Sequence, residues 1–378
     1  MRSPLRIASV ASAGVCVALA GTLLGQRAAV PPPASSAAQS DVTQRIVAAA
    51  QAVVAALDDA GRAKVQFPPE GPQRTRWSNL PSGIFRREGL RLGDLTPARR
   101  DAVMALLSVA LSRDGLRKVT EIMRGDEALR QAGGGRGPGG PPGGPADGRG
   151  RGDGRGPGGP GGGGPGGAVV FGQDEYYLAF VGTPSTTTPW MLQFGGHHLA
   201  INLTLAGNQA TMAPSLPAAQ PASYTFEGRT VRPLGNENDK AFALINALDN
   251  TQRGQAILPS RVADLVLGPG QDGRTIQPEG IRASTLSAAQ QMMLWDLVRE
   301  WTGIMNDAFA EPRMAEIRGN LRDTYFAWSG PTTNGSAAYF RIQGPTLVIE
   351  YAPQGSVDHI HTIYRDPTNE YGAKFARR

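Results

Sequence analysis

The sequence predicts an α+β domain in which helices pack against an antiparallel β-sheet, interrupted by a disordered Gly/Pro-rich insert. Three observations support this fold class. Apolar residues recur at helical spacing in the first third of the chain and follow capping residues. The second half holds runs of aromatic and β-branched residues joined by turn signals such as Gly207-Asn208. Helical stretches fall between these strand groups as a block, which is typical of α+β domains.

The first part of the domain, residues 41–132, is predicted to be helical. A helix over 41–60 begins at Asp41, a residue type that caps helices, and carries apolar side chains three and four positions apart. Thr96-Pro97 opens a second helix, because threonine caps a helix N-terminus and proline fits the first turn. A third helix follows from about Gly115.

Residues 133–167 differ sharply from the rest of the chain. They contain 21 Gly and 7 Pro among 35 residues, whereas the whole chain of 378 residues has 50 Gly and 30 Pro. Such a segment buries almost no apolar surface to offset the entropy of ordering its backbone. We therefore predict a disordered insert between two parts of one domain.

The main part of the domain, residues 168–378, is predicted to contain the sheet and further helices. Six segments have strand character, namely 176–181, 190–205, 209–212, 337–342, 346–351 and 359–364. Helices are predicted over 238–248, shortly after Asn250, and over 287–309 and 312–326.

The N-terminal residues predict export to the periplasm or the extracellular space. Arg2 and Arg6 precede an apolar stretch over 7–24 that is rich in small residues, the pattern of a secretory signal peptide, which we assign to residues 1–29. About 18 apolar residues would also be long enough for a retained membrane anchor, but the glycines and alanines favour removal. Residues 30–40, rich in Pro, Ala and Ser, are predicted to form a tether.

Charge and motif content exclude several classes of function. Lysine and arginine number 22 against 13 acidic residues in 1–167, but 16 against 19 in 168–378, which gives the net charge of +6. The basic residues are scattered without interleaved aromatics, so we expect no nucleic-acid partner. No phosphate-binding loop and no G-x-S-x-G motif occurs. The only cysteine, Cys16, lies in the predicted signal peptide, so cleavage would leave a mature chain without a disulfide. After cleavage we also expect no stable membrane span.

The four histidines of the chain occur as two pairs, His197-His198 and His359-Ile360-His361. On a strand, His359 and His361 share one face about 6.5–7 Å apart, close enough to bind one metal ion. Neighbouring strand residues point to opposite faces, so only one of His197 and His198 reaches the same site unless the preceding glycines introduce a bulge. All four are candidate ligands for a divalent metal, zinc or copper above all, because neutral imidazole suits these ions.

Further residues are candidates for the same site. Glu350 lies in an otherwise apolar strand, where a carboxylate needs a partner, and Arg365 continues the face of the second histidine pair. We treat these two as candidate catalytic residues, with Glu350 as a possible further ligand and Arg365 as an anion contact. Trp190, Gln193 and Tyr364 are candidates for lining the cleft and contacting a cofactor or ligand.

Three interpretations of the histidines stay open. A bound metal would make the protein a metal-dependent hydrolase or oxidoreductase, since the ion would activate water or support redox chemistry. Without metal, the histidines would act in a pocket for a small polar or anionic ligand, as acid–base groups or anion contacts. In a non-enzymatic domain they would be hydrogen-bonded structural residues. The sequence does not predict the oligomeric state.

A set of motifs carries a resemblance to a known family. In the main part these motifs are Thr183-Pro184-Ser185, Pro189-Trp190, Gln193, Gly196-His197-His198-Leu199, Asn202, His359-Ile360-His361-Thr362, Arg365 and Tyr371-Gly372. In the first part they are Trp77, Pro81, Arg87, Gly89-Leu90 and Leu111-Ser112. On these residues the chain resembles a bacterial family of domains of unknown function, number 3500, from about Asp41 to the C-terminus. The resemblance implies no known activity.

Overall fold

A computed structural model describes residues 34–133 and 168–375. The predicted signal peptide and nearly all of the predicted insert lie outside the described residues. The helices are α1 (Ala34–Ala55), α2 (Asp59–Val65), α3 (Pro97–Ala110), α4 (Arg113–Gln131), α5 (Gly235–Ala247), α6 (Asn250–Ala256), α7 (Ala288–Thr302) and α8 (Asp307–Gly319). The strands are β1 (Gln66–Phe67), β2 (Leu90–Arg91), β3 (Tyr177–Val181), β4 (Trp190–Gly196), β5 (Leu199–Ala206), β6 (Gln209–Thr211), β7 (Leu216–Pro217), β8 (Tyr224–Phe226), β9 (Arg229–Val231), β10 (Ile281–Arg282), β11 (Tyr325–Ser329), β12 (Tyr339–Gly344), β13 (Leu347–Pro353) and β14 (Ile360–Arg365). The predicted α+β class is confirmed.

The strands form two main sheets rather than the single sheet that the sequence suggested. The first sheet has the order β1-β3-β4-β5-β6, with β2 also paired to β3 and β7 to β5. Its pairs are antiparallel except for β1 with β3. The second sheet has the order β10-β11-β12-β13-β14 and is antiparallel throughout. Strands β8 and β9 form a separate hairpin.

Each main sheet has one face covered by helices. Helices α1, α3 and α4 pack on the first sheet, where residues such as Leu106 and Leu192 are fully buried. Helices α5, α7 and α8 pack on the second sheet around Trp301 and Phe340. Burial of each such large apolar side chain contributes about 1.5–3 kcal/mol. The other faces of both sheets contribute to a third, smaller apolar cluster, so these two faces meet inside the molecule.

One short segment joins the two sheets. Strand β7 pairs with the start of β5. On its other side the same segment pairs with β14, through bridges from Ser215 to Tyr364 and from Ala219 to Ile360. This segment therefore places the β4–β5 connection next to the start of β14.

Within the described residues, no helix is both long and apolar enough to cross a bilayer.

The ends of the predicted helices are only partly right. Thr96 caps α3 as expected, since its side chain accepts a hydrogen bond from the backbone N–H of Arg99. The first helix begins at Ala34, inside the predicted tether, and ends at Ala55. A new helix then begins after Asp58, whose side chain accepts from the N–H of Gly61.

The prediction for residues 287–326 contains two errors. The long helix over 287–309 is broken at Thr302, and α8 begins only after Asn306, whose side chain caps it. The break has a tertiary cause, because the carbonyl oxygen of Ile304 accepts a hydrogen bond from the backbone N–H of Ser112 at 3.0 Å. The predicted helix over 312–326 ends early, and Tyr325–Ser329 is strand β11, paired with β10 and β12.

Candidate metal centre

His197 and His198 form a two-residue turn between β4 and β5. Gly196, the last residue of β4, pairs with Leu199, the first residue of β5. The predicted single strand over 190–205 is therefore wrong, and the chain makes a hairpin there instead of a bulge. His198 adopts a left-handed backbone with a φ of 60°, which costs a non-glycine residue roughly 1–2 kcal/mol. The turn frees both side chains from strand alternation, and their ring centroids lie 3.5 Å apart.

Two glycines make this turn possible. A Cβ atom at Gly195 would lie 2.4 Å from the carbonyl oxygen of Leu199, and one at Gly196 would lie 2.8 Å from the ring of Tyr176. Both distances are far below van der Waals contact, so only glycine allows this close approach. The hydroxyl oxygen of Tyr176 also lies 2.8 Å from the carbonyl oxygen of His197.

His361 lies in β14, and His359 directly precedes that strand. Ile360 and Tyr364 belong to the helix-covered core of the second sheet. Strand alternation therefore turns both histidines toward the first sheet. Their ring centroids are 4.6 Å apart. His361 is buried and His359 is half-buried, so the pair reaches from the interior toward solvent.

The structure brings the two histidine pairs together. Nε2 of His198 lies 3.1 Å from Nε2 of His359, across 161 positions of sequence. One ring nitrogen each of His198, His359 and His361 lies within 4.8 Å of the others. Two nitrogen ligands of a tetrahedral zinc ion, each about 2.0–2.1 Å from the metal, lie roughly 3.3 Å apart. These three histidines could therefore hold a metal ion after small adjustments.

Asp126 of α4 is a central residue that the sequence interpretation missed. One of its oxygens lies 3.0 Å from Nδ1 of His197 and 3.2 Å from Nδ1 of His198, and the other accepts from the Tyr176 hydroxyl at 2.7 Å. Burial opposes ionisation of this carboxyl group, but the hydrogen bonds from His197 and His198 outweigh it and lower the pKa of Asp126. A sequence signal existed, because Asp126 continues the apolar stripe that contains Val119.

Asp126, His197 and His198 form a second set whose ligand atoms lie within 4.8 Å of one another. The buried histidine and aspartate groups could thus bind a metal ion through either set, and His198 belongs to both. Asp126 already accepts three hydrogen bonds. A carboxylate that holds Nδ1–H of a histidine directs the lone pair of Nε2 toward a metal. This arrangement favours Asp126 as support and His198, His359 and His361 as ligands.

Asn79 and Asp264 complete the surroundings of His361. The side-chain nitrogen of Asn79 lies 3.1 Å from Nε2 of His361, and an Asp264 oxygen lies 3.4 Å from its Nδ1. The backbone N–H of His198 donates to the carbonyl oxygen of Asn79 at 3.2 Å. Burial opposes ionisation of Asp264, but its hydrogen bond with His361 lowers the pKa of the carboxyl group. Both residues lie in irregular segments, where no sequence periodicity could have indicated them.

Two of the histidines are held in the neutral form. Burial lowers the pKa of His198 to about 3, and the neighbouring histidines add to this effect while Asp126 opposes it. Burial and the proximity of His361 lower the pKa of His359 to about 4. Neutral imidazoles keep a lone pair, which is the form that binds metal ions.

Glu350 and Arg365 both hydrogen-bond to the loop 264–268. Both oxygens of Glu350 accept hydrogen bonds from the backbone N–H groups of Val266 and Leu267, at 2.7 and 2.8 Å. Burial raises the pKa of this carboxyl group. Arg365 donates to two carbonyl oxygens of the same loop at 2.7 and 2.9 Å. Their charged groups thus support the loop that carries the aspartate beside His361.

The three residues expected to line a common cleft lie in different places. Trp190 packs edge-on against Phe180 in the core beneath α1, α3 and α4. Tyr364 belongs to the core of the second sheet. Gln193 accepts a hydrogen bond from the side chain of Gln73 at 2.9 Å, on the helix-free face of the first sheet. The structure does not bring these side chains together beside the histidines.

A family model described as "Protein of unknown function (DUF3500)" matches residues 39–373. The chain belongs to this family. The match includes Asp126, both histidine pairs and the loop 264–268, so the whole candidate centre lies within the DUF3500 region. No curated protein and no solved structure gives a significant match to the chain.

Proposed function

We propose that this DUF3500 protein is a metal-dependent hydrolase with one zinc ion bound by His198, His359 and His361. The observation that carries the proposal is the meeting of three imidazoles, one of which is held at Nδ1 by the buried carboxylate of Asp126. Three histidines with a remaining open position are the ligand set of catalytic zinc sites. A zinc ion held in this way would lower the pKa of a coordinated water to about 7 and so would supply a hydroxide nucleophile.

The surrounding residues support this assignment by their hydrogen bonds. Asp126 accepts from Nδ1–H of His198, so the lone pair of Nε2 points toward His359. Asp264 plays the same part for His361, which leaves Nε2 of His361 as an acceptor. A metal ion would take the place of the Asn79 amide as the partner of that nitrogen. Paired carboxylate–histidine contacts of this kind are the usual second layer of zinc sites.

The open side of the site is at His359. His359 is half-buried, and the Asp264 side chain is 51% exposed, whereas the other two proposed ligands are buried. A water molecule and a small substrate would reach the ion from this side. Zinc is preferred over copper because a hydrolase needs a Lewis acid without redox activity. Bound copper and an oxidase activity would instead support an oxidoreductase.

Metal analysis of protein purified without a histidine tag tests the proposal. We expect close to one equivalent of zinc in the wild type and almost none in the double variant His359→Ala/His361→Ala. Asp358→Asn is a matched control, because this exposed carboxylate adjoins His359 but accepts a hydrogen bond from the N–H of Ala222. Equal zinc content in the wild type and the double variant would reject the ligand assignment.

We also propose that the protein is exported. The support is the N-terminal sequence, with Arg2 and Arg6 before an apolar stretch rich in small residues. Cell fractionation followed by N-terminal sequencing of the mature chain tests this. We expect a mature N-terminus near residue 30 in the exported fraction. An intact Met1 in the cytoplasmic fraction would contradict the proposal.

A further inference from the structure

Arg87 makes an unusual set of contacts beside the candidate metal centre. Its Nη2 group lies within hydrogen-bond distance of three carbonyl oxygens, those of Ser78 at 2.7 Å, Leu80 at 2.6 Å and Gly196 at 2.6 Å, and shares its two N–H donors among them. Its Nη1 atom is buried and has no hydrogen-bond partner among the described residues. The guanidinium group also lies over the ring of Phe85, 5.4 Å from its centroid. Arg87 is thus a cation that binds backbone carbonyls instead of a carboxylate.

These three carbonyls flank the residues that shape the centre. Ser78 and Leu80 lie on either side of Asn79, whose side chain contacts His361. Gly196 directly precedes the histidine turn. A single guanidinium group therefore ties the segment around Asn79 to the end of β4, which are more than 100 positions apart in sequence.

The contact with the turn has a mechanical consequence. His198 has a left-handed backbone, and its N–H donates to the carbonyl oxygen of Asn79. A backbone in this region persists only when its surroundings hold it there. Arg87 holds both sides of this hydrogen bond, because it binds the residues next to Asn79 and the residue two positions before His198. Loss of Arg87 would free the turn to relax and move Nε2 of His198.

We infer that Arg87 is a positioning residue that sets the geometry of the metal centre without touching the ion. The inference rests on the proposed function, since it assumes that His198, His359 and His361 bind zinc. Lysine is a poor replacement for arginine here, because its side chain is one bond shorter than the path to Nη2 and its ammonium group has no planar face to lie over Phe85. If Arg87 positions the metal ligands, both Arg87→Lys and Arg87→Met must change the geometry of the site.

Two measurements on the full-length mature protein test the inference. The first is the Kd for Zn²⁺ from competition with a chelator, and the second is the visible absorption spectrum with Co²⁺, which reports ligand geometry. We expect Arg87→Met to weaken Zn²⁺ binding by about 10–100-fold, the range typical of residues that support metal ligands. The Co²⁺ spectrum should change in both variants, with a smaller effect for Arg87→Lys. Arg100→Met is the matched control, because Arg100 pairs with Asp174 at 2.8 Å on the surface, and it should match the wild type.

The outcomes separate this inference from the proposed function. Wild-type Kd and wild-type spectrum in Arg87→Lys and Arg87→Met overturn the inference, and so does a lower Tm with both readouts unchanged. Should Arg87→Met fail to fold, Arg87→Lys decides alone. A wild type that binds no Zn²⁺ overturns the proposed function itself. In that case the ¹⁵N shifts of the His198 and His361 rings in metal-free Arg87→Lys decide, and unchanged shifts reject a positioning role.

Discussion

Replacing Asp126 with asparagine exchanges one carboxylate oxygen for an NH2 group. This variant tests whether the Asp126 carboxylate supports the proposed metal ligands. The carboxylate accepts hydrogen bonds from His197, His198 and Tyr176, at distances between 2.7 and 3.2 Å. An asparagine side chain keeps one acceptor oxygen and gains an NH2 group, which can only donate. With the amide oxygen toward the histidines, both Nδ1–H groups keep only a neutral acceptor, and with the NH2 group toward them both lose their acceptor. If His198 moves its proton to Nε2 in response, the lone pair that faces His359 is lost.

The expected magnitude follows from these contacts. A hydrogen bond to a charged group contributes about 1.5–3 kcal/mol, and a donor left unpaired in the interior costs about as much. Loss of the charged acceptor of both bonds should lower the free energy of unfolding of metal-free Asp126→Asn by about 2–5 kcal/mol. The Kd for Zn²⁺ should rise by about 10–100-fold, because the ligand tautomer is no longer enforced.

Urea denaturation in the presence of EDTA measures the first effect, and chelator competition measures the second. Asp174→Asn is a suitable control, because that carboxylate is exposed and forms an ion pair with Arg100 at 2.8 Å. A large loss of stability with unchanged Zn²⁺ affinity would mean that Asp126 is only a structural residue. Asp126→Asn with wild-type stability and wild-type affinity would refute the reasoning altogether.

Three further predictions concern burial and charge. Lys118→Met should lower the free energy of unfolding by about 3–5 kcal/mol in urea denaturation, because it leaves the fully buried Glu237 unpaired. The double variant Lys118→Met/Glu237→Gln should recover most of this loss. If the effects of the two single substitutions simply added, the pairing would be contradicted. Acidifying the metal-free protein from pH 7.5 to 5 should lower its free energy of unfolding by about 2 kcal/mol through His198. The reason is that His198 takes up a proton below about pH 6.5 in the unfolded chain but, with a pKa of about 3, stays neutral in the folded state. In His198→Gln the free energy of unfolding should differ correspondingly less between the two pH values. Gly196→Ala should lower Tm, at a cost of about 1–3 kcal/mol, because the added methyl group collides with the ring of Tyr176, and an unchanged Tm would show that the ring moves freely.

The sequence predicted those parts of the fold that depend on local periodicity. The second and third helices, the hairpin at Gly207-Asn208 and most strands of the second half follow from patterns that a few consecutive residues create. Strand β11 was missed because its aromatic run directly follows α8, and only pairing with β10 and β12 decides its conformation. Local sequence patterns also could not predict the division into two sheets, because it depends on which strands β7 pairs with.

In the candidate site, too, single residues could be predicted only where the sequence carries a local signal. All four histidines were identified because a rare residue type in two close pairs is visible in the sequence. Asp126 was visible in principle, as a charge in an apolar helical stripe. Asn79 and Asp264 reach the histidines only through irregular segments, and such contacts leave no periodic signal. Glu350 and Arg365 hydrogen-bond to the loop 264–268, and these partners could not be inferred from the sequence.

The hydrogen bonds of the centre also explain how a metal ion could enter without rearranging the fold. A neutral imidazole has one donor and one acceptor nitrogen, so the partners of each ring assign its tautomer. His198 donates from Nδ1 to Asp126 and accepts at Nε2, which makes His359 the donor across their 3.1 Å contact. His361 faces Asp264 with Nδ1 and the Asn79 amide with Nε2. An incoming ion needs His359 to move its proton to Nδ1, the nitrogen away from His198, and the Asn79 amide to turn away from His361. The backbone positions of all three ligands are already in place, so most of the ordering entropy of the site is spent during folding and not during metal binding.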